Sequence, residues 1–320
     1  MKKILIALLV GLMLFTLACS NEPAATDAVL KIDDMVVDRT EFNRNLALVK
    51  YNYMAQYGPT YFDNAGPEIM DPIHQSLLDE MVIENLIIRD AGEKGITNDT
   101  AEMDDYFKRY MESTFGTTET PTEAGQKIRT YLDENDIDDA FLRRLLERDQ
   151  LVRKYVINIQ ESIEGDEARM KELNETAIAQ VKGAHILVDD KAKADELYAI
   201  IKEDPSQFAE LAKANSKDGS AENGGELGYY TRGEMVVPFN DASFTAEVGV
   251  VTEPVESEYG YHLILISEKR TIAQMEQADE TPEMIDLAKR NLVQDLVRQE
   301  YYARVDALKE NSTIERFPIE

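Results

Sequence analysis

The sequence predicts an α+β domain that is set into a mostly helical block. Apolar residues recur at three- and four-residue steps before residue 175 and again after residue 281, which indicates amphipathic helices towards both ends. The stretch between them contains short apolar runs of strand type separated by turn-forming residues. With 320 residues, the chain has room for two or three domains. We therefore expect an inserted domain, and a last helix that packs back on the amino-terminal block because its apolar stripe would otherwise face water.

The amino-terminal block begins with a predicted hairpin and continues as helices. Apolar runs at 29–32 and 35–37 flank an Asp33-Asp34 pair that suits a two-residue turn. For the second helix, we expect Asp71 as the cap and Pro72 at the first position. Helices are also predicted from Thr40 onward and at 101–115, 122–133 and 137–163.

The middle of the chain mixes strands with short helices. Strands are predicted at 181–188, 226–231, 250–257 and 260–268, and helices at 194–201, 208–212 and 238–245. A final helix begins at Thr281-Pro282. We delimit a signal peptide at 1–18, a tether at 19–28, a helical domain at 29–178, the α+β domain at 179–270 and a carboxyl-terminal helix at 271–320.

The first residues have the features of an export signal. Lys2 and Lys3 precede an apolar run at 4–15, which suits a signal peptide and is short for a bilayer span. Cys19 follows a small residue where a peptidase would cut, and the site resembles a bacterial lipobox, although Thr16 stands where such boxes usually carry Leu. We expect Cys19 to be lipidated and to anchor the protein to a membrane. The alternative is an ordinary secretory signal in which Cys19 has no role.

Composition excludes two classes of function. The formal charge of −28 repels phosphate backbones, so we expect no nucleic acid partner. Because the chain has 1 cysteine, lipidation would leave no thiol for a disulfide or a nucleophile. We expect the acidic surface to keep a protein outside the cytoplasm soluble. The alternative interpretation is a preference for binding basic polypeptides.

Two of the 3 histidines lie on predicted strands of the α+β domain. His185 shares its strand face with Leu187, and His262 shares its face with Ile264. Polar rings on apolar faces need hydrogen-bond partners, and each ring can supply the other. By themselves they also fit hydrogen-bonded core histidines. No further ligand stands at metal-binding spacing, so we expect no metal, and His74 is predicted to lie on the surface.

Four segments resemble the parvulin family of peptidyl-prolyl isomerases in order and spacing. They are Ala184–Val188, Asn223–Gly228, Met235–Phe244 and Gly260–Ile264. The leader and the flanking helices are similar to those of the larger relatives in that family, the PrsA foldase lipoproteins and the SurA and PpiC chaperones.

The resemblance implies a fold and a site. The fold is an FKBP-like four-stranded antiparallel sheet with surrounding helices, inserted into a SurA- and PrsA-like helical domain. The implied catalytic residues are His185, Asp218, Ser257 and His262. The implied pocket for the proline ring consists of Leu227, Met235 and Phe239. For Met235 and Phe239 the alternative is plain core packing, and Tyr259 is larger than the residue that some members carry at the rim.

The expected function is isomerisation of X–Pro bonds, which assists the folding of exported proteins at a membrane surface. The barrier to rotation comes from amide resonance, so neither a strong nucleophile nor a cofactor is needed. The expected partners are unfolded exported polypeptides, the membrane through the lipid anchor, and a second copy of the chain. The location is the outer face of the cell membrane, or the periplasm where two membranes exist. The alternatives are a holdase chaperone with a silent parvulin domain, and a structural envelope lipoprotein.

Overall fold

A computed structural model describes residues 27–117 and 119–319. The chain forms two compact units. The first contains the described residues up to Asn85, Phe107–Arg143 and the described residues from Asn311. The second contains Leu86–Tyr106 and Arg144–Glu310. The predicted signal peptide, Cys19 and most of the tether lie outside the described residues. Within the described ranges, no helix has the length and apolarity needed to cross a membrane.

The first unit contains a small antiparallel sheet in the strand order β2-β1-β7. The predicted hairpin is present, and Asp33 takes the left-handed conformation in its turn (φ 53°). The third strand comes from the carboxyl end of the chain, which the hairpin prediction did not include. His74, predicted to lie on the surface, is half-buried there and lies edge-on to Phe42, with ring centroids 5.8 Å apart. The strands are β1 (Ala28–Ile32), β2 (Met35–Asp38) and β7 (Ile314–Arg316).

Helices follow the hairpin, and their starts depend on local capping. The Asp38 carboxylate accepts a hydrogen bond from the Glu41 backbone N–H at 2.8 Å and caps the first helix. The predicted start of the second helix at Asp71-Pro72 is wrong. The helix begins at Pro67, because the Gly66 carbonyl already accepts a hydrogen bond from the Met70 backbone N–H. Pro72 therefore lies inside the helix, where its missing N–H costs one backbone hydrogen bond. The helices are α1 (Arg39–Tyr57), α2 (Pro67–Glu93), α3 (Thr100–Phe115) and α4 (Glu123–Glu134).

The second unit is organised around a four-stranded sheet in the order β4-β3-β6-β5, and all its strand pairs are antiparallel. This confirms the predicted α+β fold class with its antiparallel sheet. The strand predicted at 250–257 is shorter, because Pro254 cannot donate to the ladder and only a single bridge at Val251 precedes it. The strands are β3 (Ile178–Val188), β4 (Glu226–Thr231), β5 (Val255–Ser257) and β6 (Gly260–Thr271).

Helices cover both faces of this sheet. One face packs Ile186 and Leu263 against α7 and α8, and the other packs Ile264 and Ile266 against Phe239 of α9. The site described below lies on the α9 face. The helices of this unit are most of α5 (Asp139–Glu164), α6 (Glu167–Thr176), α7 (Lys191–Glu203), α8 (Phe208–Asn215), α9 (Val237–Thr245), α10 (Ile272–Gln277) and α11 (Pro282–Glu310).

The long helix α11 packs on the beginning of β3 and on α10. Ala288 and Leu292 of α11 form an apolar cluster with Ala179, Ile272 and Met275. Burying this stripe removes the apolar face that would otherwise contact water. The predicted domain boundaries, including those at 178/179 and 270/271, stay predictions.

Candidate active site

Two buried histidines face each other on neighbouring strands. In the antiparallel register of β3 and β6, His185 lies opposite Ile264 and His262 lies opposite Leu187, so both rings project from the same face. Their Nδ1 atoms are 3.3 Å apart, within hydrogen-bond reach. The residues are 5% and 4% exposed, so each ring depends on protein partners for its polar atoms.

Asp218 holds the outer side of His185. It follows α8 and caps a short 3-10 turn at Gly219–Asn223, where its Oδ1 accepts hydrogen bonds from the Ser220 N–H at 2.8 Å and the Ser220 hydroxyl at 2.5 Å. The same oxygen lies 3.1 Å from the His185 Nε2, although the direction of the Nε2–H bond misses the geometry of a full hydrogen bond. Burial would raise the pKa of Asp218, but the hydrogen bonds from Ser220 and the contact with His185 lower it to about 2.

Ser257 holds the outer side of His262. It ends β5, which pairs with β6, and its Oγ lies 2.7 Å from the His262 Nε2. The Tyr259 backbone N–H donates to the same oxygen at 3.1 Å. Burial, together with the neighbouring His185, lowers the pKa of His262 to about 4. His262 is therefore neutral at neutral pH.

Hydrogen bonds and one close polar contact link these four side chains. The Asp218 carboxylate can only accept, so the His185 Nε2 that faces it carries a proton. The two Nδ1 atoms share the next contact, and the His262 Nε2 and the Ser257 hydroxyl share the last. At neutral pH Asp218 is ionised and His262 is uncharged. We call Asp218, His185, His262 and Ser257 the histidine row.

An open apolar pocket of about 320 Å³ lies above the histidine row. Leu227, Met235 and Phe239 line it, as do both histidines and Asp218. The Phe239 ring stands edge-on to both imidazoles, with centroids 5.3 Å from His185 and 5.2 Å from His262. Phe239 is 2% exposed, so it is both a core residue and the floor of the pocket. The volume is at the lower end of the range for small-molecule sites and suits a single ring.

The structure brings together all the residues that the sequence indicated for the site, but Ser257 lies behind His262 and does not line the pocket. Sequence reasoning missed Ser220, Glu234 and Val236. The Asp-Gly-Ser spacing was a signal for the first, since Asp side chains accept from the backbone two residues on. Among the residues that the structure describes, no group of His, Cys, Asp and Glu could hold a metal ion.

Known proteins with a similar sequence include foldase proteins. The chain is 28% identical to the foldase protein PrsA of Caldanaerobacter subterraneus subsp. tengcongensis over 97% of this chain and 93% of that protein. It is 45% identical to foldase protein PrsA 1 of Bacillus cereus over 31% of this chain and 34% of that relative, about one third of its length. The crystal structure of the peptidylprolyl isomerase PrsA from Bacillus anthracis matches with a TM-score of 0.42 and 23% identity, over 73% of this chain and 96% of that one.

Two family models match the chain in succession. The model of the SurA-like N-terminal domain matches residues 1–131, and that of the PPIC-type PPIase domain matches residues 168–270. Residues 168–270 are a PPIC-type PPIase domain. The predicted parvulin family, the SurA-like amino-terminal part and the isomerase class of the chain are thereby confirmed. The histidine row and the residues of the apolar pocket all lie within the limits of the PPIase domain.

Proposed function

We propose that this chain catalyses cis/trans isomerisation of X–Pro bonds in unfolded exported polypeptides and so assists their folding. The observation that carries the proposal is an apolar pocket, sized for one ring, whose base contains two buried imidazoles in contact with each other and an ionised carboxylate. The proposed catalytic residues are His185, Asp218, Ser257 and His262, and the proposed proline pocket is Leu227, Met235 and Phe239.

The apolar wall lowers the barrier by its contact with the proline ring. Rotation about the X–Pro bond costs roughly 18–20 kcal/mol because the twisted amide loses its resonance. The planar amide carries more charge separation than the twisted one, so a water-poor pocket favours the twisted form. Phe239 and Met235 supply the apolar contact with the ring and exclude water from the bond that rotates.

The histidine row fixes the electric field at the same bond. Asp218 is ionised and His262 is neutral at neutral pH, so the Asp218 carboxylate places a negative charge at the base of the pocket. A carbonyl oxygen that faces this charge is destabilised most in the planar amide, where it is most negative. Ser257 acts as a positioning residue, because it contacts only the far nitrogen of His262.

The location and assembly are part of the proposal. The leader pattern supports export and lipid attachment at Cys19, with the protein on the outer face of the cell membrane or in the periplasm. Palmitate labelling of the wild type and of a Cys19→Ala variant tests the anchor. A homodimer through the helical part rests on the resemblance to PrsA-type proteins, and sedimentation velocity tests it.

A proline-limited refolding assay tests the activity, with Asp218→Asn as the variant. The chain offers a matched control, because Asp204 accepts from the Ser206 N–H and hydroxyl in the same local pattern and lies outside the pocket. Asp204→Asn removes an equivalent charge from an equivalent cap.

We expect the wild type and Asp204→Asn to accelerate refolding equally, and Asp218→Asn to lose about tenfold. The size of this loss follows from Coulomb's law. Two unit charges about 4 Å apart interact by about 4 kcal/mol at an effective dielectric constant of about 20. The carbonyl oxygen carries only part of a unit charge and loses only part of that when the amide twists, so the effect on the barrier is a fraction of this value. Equal acceleration by all three proteins, or none by the wild type, refutes the catalytic role of the histidine row.

A holdase function is the second candidate, and the match of residues 1–131 to a SurA-like domain supports it. Suppression of aggregation of an unfolded client separates the two. If Asp218→Asn keeps full suppression while refolding is no longer accelerated, holding and isomerisation are separate activities of one chain. If the wild type suppresses aggregation without accelerating proline-limited refolding, only the holdase remains.

A further inference from the structure

A second, smaller cavity lies beside the proline pocket. Its volume is about 180 Å³, and the loop after β4, the helix α9 and the helix α11 line it. Met235 lines both cavities, so they adjoin at this side chain. Because α11 begins at Pro282, after the end of the PPIase domain at residue 270, the helix that follows the domain extends the surface beside the pocket.

Asn240 presents a free hydrogen-bond donor to this cavity. The residue is 4% exposed, and its Oδ1 accepts a hydrogen bond from the Gly233 backbone N–H at 2.8 Å. That contact fixes the orientation of the side-chain amide. The Nδ2 therefore points the other way, and it has no acceptor within the described part of the chain. Because Asn240 lines the cavity, a ligand or a water molecule there can supply the acceptor.

Asn291 of α11 presents a free acceptor to the same cavity. Its Nδ2 donates to the Thr231 Oγ1 at 3.0 Å, and that hydroxyl in turn donates to the Glu234 carboxylate at 2.7 Å. Because the Thr231 proton is engaged, Thr231 can only accept from Asn291, which fixes this amide as well. The Asn291 Oδ1 is left without a donor among the residues that the structure describes.

The charged residues at this cavity neutralise one another. Asp295 pairs with Arg298 at 2.6 Å and with Arg232 at 2.5 Å, and Arg298 also pairs with Asp241 at 2.8 Å. Of these four charged residues, Asp295 and Arg298 line the cavity, as does the exposed amide of Gln294. Because the two lining charges pair with each other, the Asn240 donor and the Asn291 acceptor suit a neutral ligand that has both.

We infer that this cavity binds a backbone peptide group of the client beside the proline. The client carbonyl accepts from the Asn240 Nδ2, and the client N–H donates to the Asn291 Oδ1. Consecutive Cα atoms are about 3.8 Å apart, so an extended segment that leaves the proline pocket across Met235 reaches this cavity within a few residues. The inference rests on the proposed isomerase function, and it makes extended polypeptides better substrates than short peptides.

Turnover of two peptides by the full-length protein tests the inference. One is a blocked Ala-Pro unit, and the other is the same unit inside a longer unstructured peptide. Asn240→Asp keeps the acceptor for Gly233 and removes the donor, and Asn291→Leu removes the acceptor on α11. Asn215→Asp is the matched control, because it makes the same chemical change at the end of α8, outside both cavities.

We expect the wild type and Asn215→Asp to have a higher kcat/KM for the longer peptide. Each cavity variant should lose about five- to tenfold on the longer peptide, which corresponds to one hydrogen bond, and little on the blocked unit. Equal losses on both peptides, or a wild type that does not distinguish them, overturn the inference while the isomerase function stands. No turnover of either peptide by the wild type refutes the isomerase function itself.

Discussion

Acidification should destabilise the fold through His262 before it affects the chemistry of the pocket. The pKa of His262 is lowered to about 4 in the folded protein from its ordinary value of 6.5. The unfolded chain therefore binds the proton first, and stability falls as the pH drops from the unfolded pKa towards the folded one, with no further loss below it. Between about pH 8 and about pH 5 the loss from this one group is about 2 kcal/mol, and its limit is about 3 kcal/mol.

Urea unfolding at a series of pH values measures this loss. The His262→Gln variant keeps a polar side chain without a titrating group. The difference between wild type and variant in how the free energy of unfolding changes with pH therefore gives the contribution of His262. Between about pH 8 and about pH 5, turnover of a proline peptide should stay level, because the folded His262 remains neutral and Asp218, with a pKa of about 2, remains ionised. Identical stability slopes for wild type and variant, or an NMR titration of His262 near its ordinary pKa, would refute this reasoning.

Two substitutions near the histidine row give further expected outcomes. Ser257→Ala removes the partner of the His262 Nε2 and should lower kcat about five- to tenfold with little change in peptide affinity, which peptide titration and steady-state kinetics measure together. Gly225→Ala would place a Cβ 2.3 Å from the His185 carbonyl, whereas Gly228→Ala meets no atom within 4 Å, and both glycines have positive φ. Thermal unfolding should show that Gly225→Ala lowers the free energy of unfolding more than Gly228→Ala does, by about 2 kcal/mol or more. Equal losses for the two variants would contradict the claim that the close approach of Gly225 to the His185 carbonyl fixes the position of β3.

Much of the site was predictable because its residues belong to regular strands. A strand period of two places His185 with Leu187 and His262 with Ile264, and the antiparallel register then brings the two rings together. The pocket residues follow from the resemblance of Met235–Phe244 to the parvulin motif, and Phe239 shows that core packing and pocket lining are compatible roles.

The parts that sequence reasoning missed depend on contacts distant in the chain. The strand β7 pairs with β1 across almost the whole sequence, and nothing local in Ile314–Arg316 indicates that partner. The contribution of Asn291 to a cavity beside Met235 likewise needs the position of α11. The start of α2 was missed for a local reason, since Pro67 and Pro72 both suit a first position and only the hydrogen bond to Gly66 distinguishes them.

Magnetisation exchange between the cis and trans resonances of a proline peptide tests the central claim most directly. The uncatalysed reaction takes tens to hundreds of seconds, too slow to produce exchange peaks. A catalytic amount of the full-length protein should produce exchange peaks between the two isomers, and Asp218→Asn should weaken them. Peptide that binds at the pocket, as seen by shifts of the Met235 and Phe239 resonances, without any exchange would contradict the account.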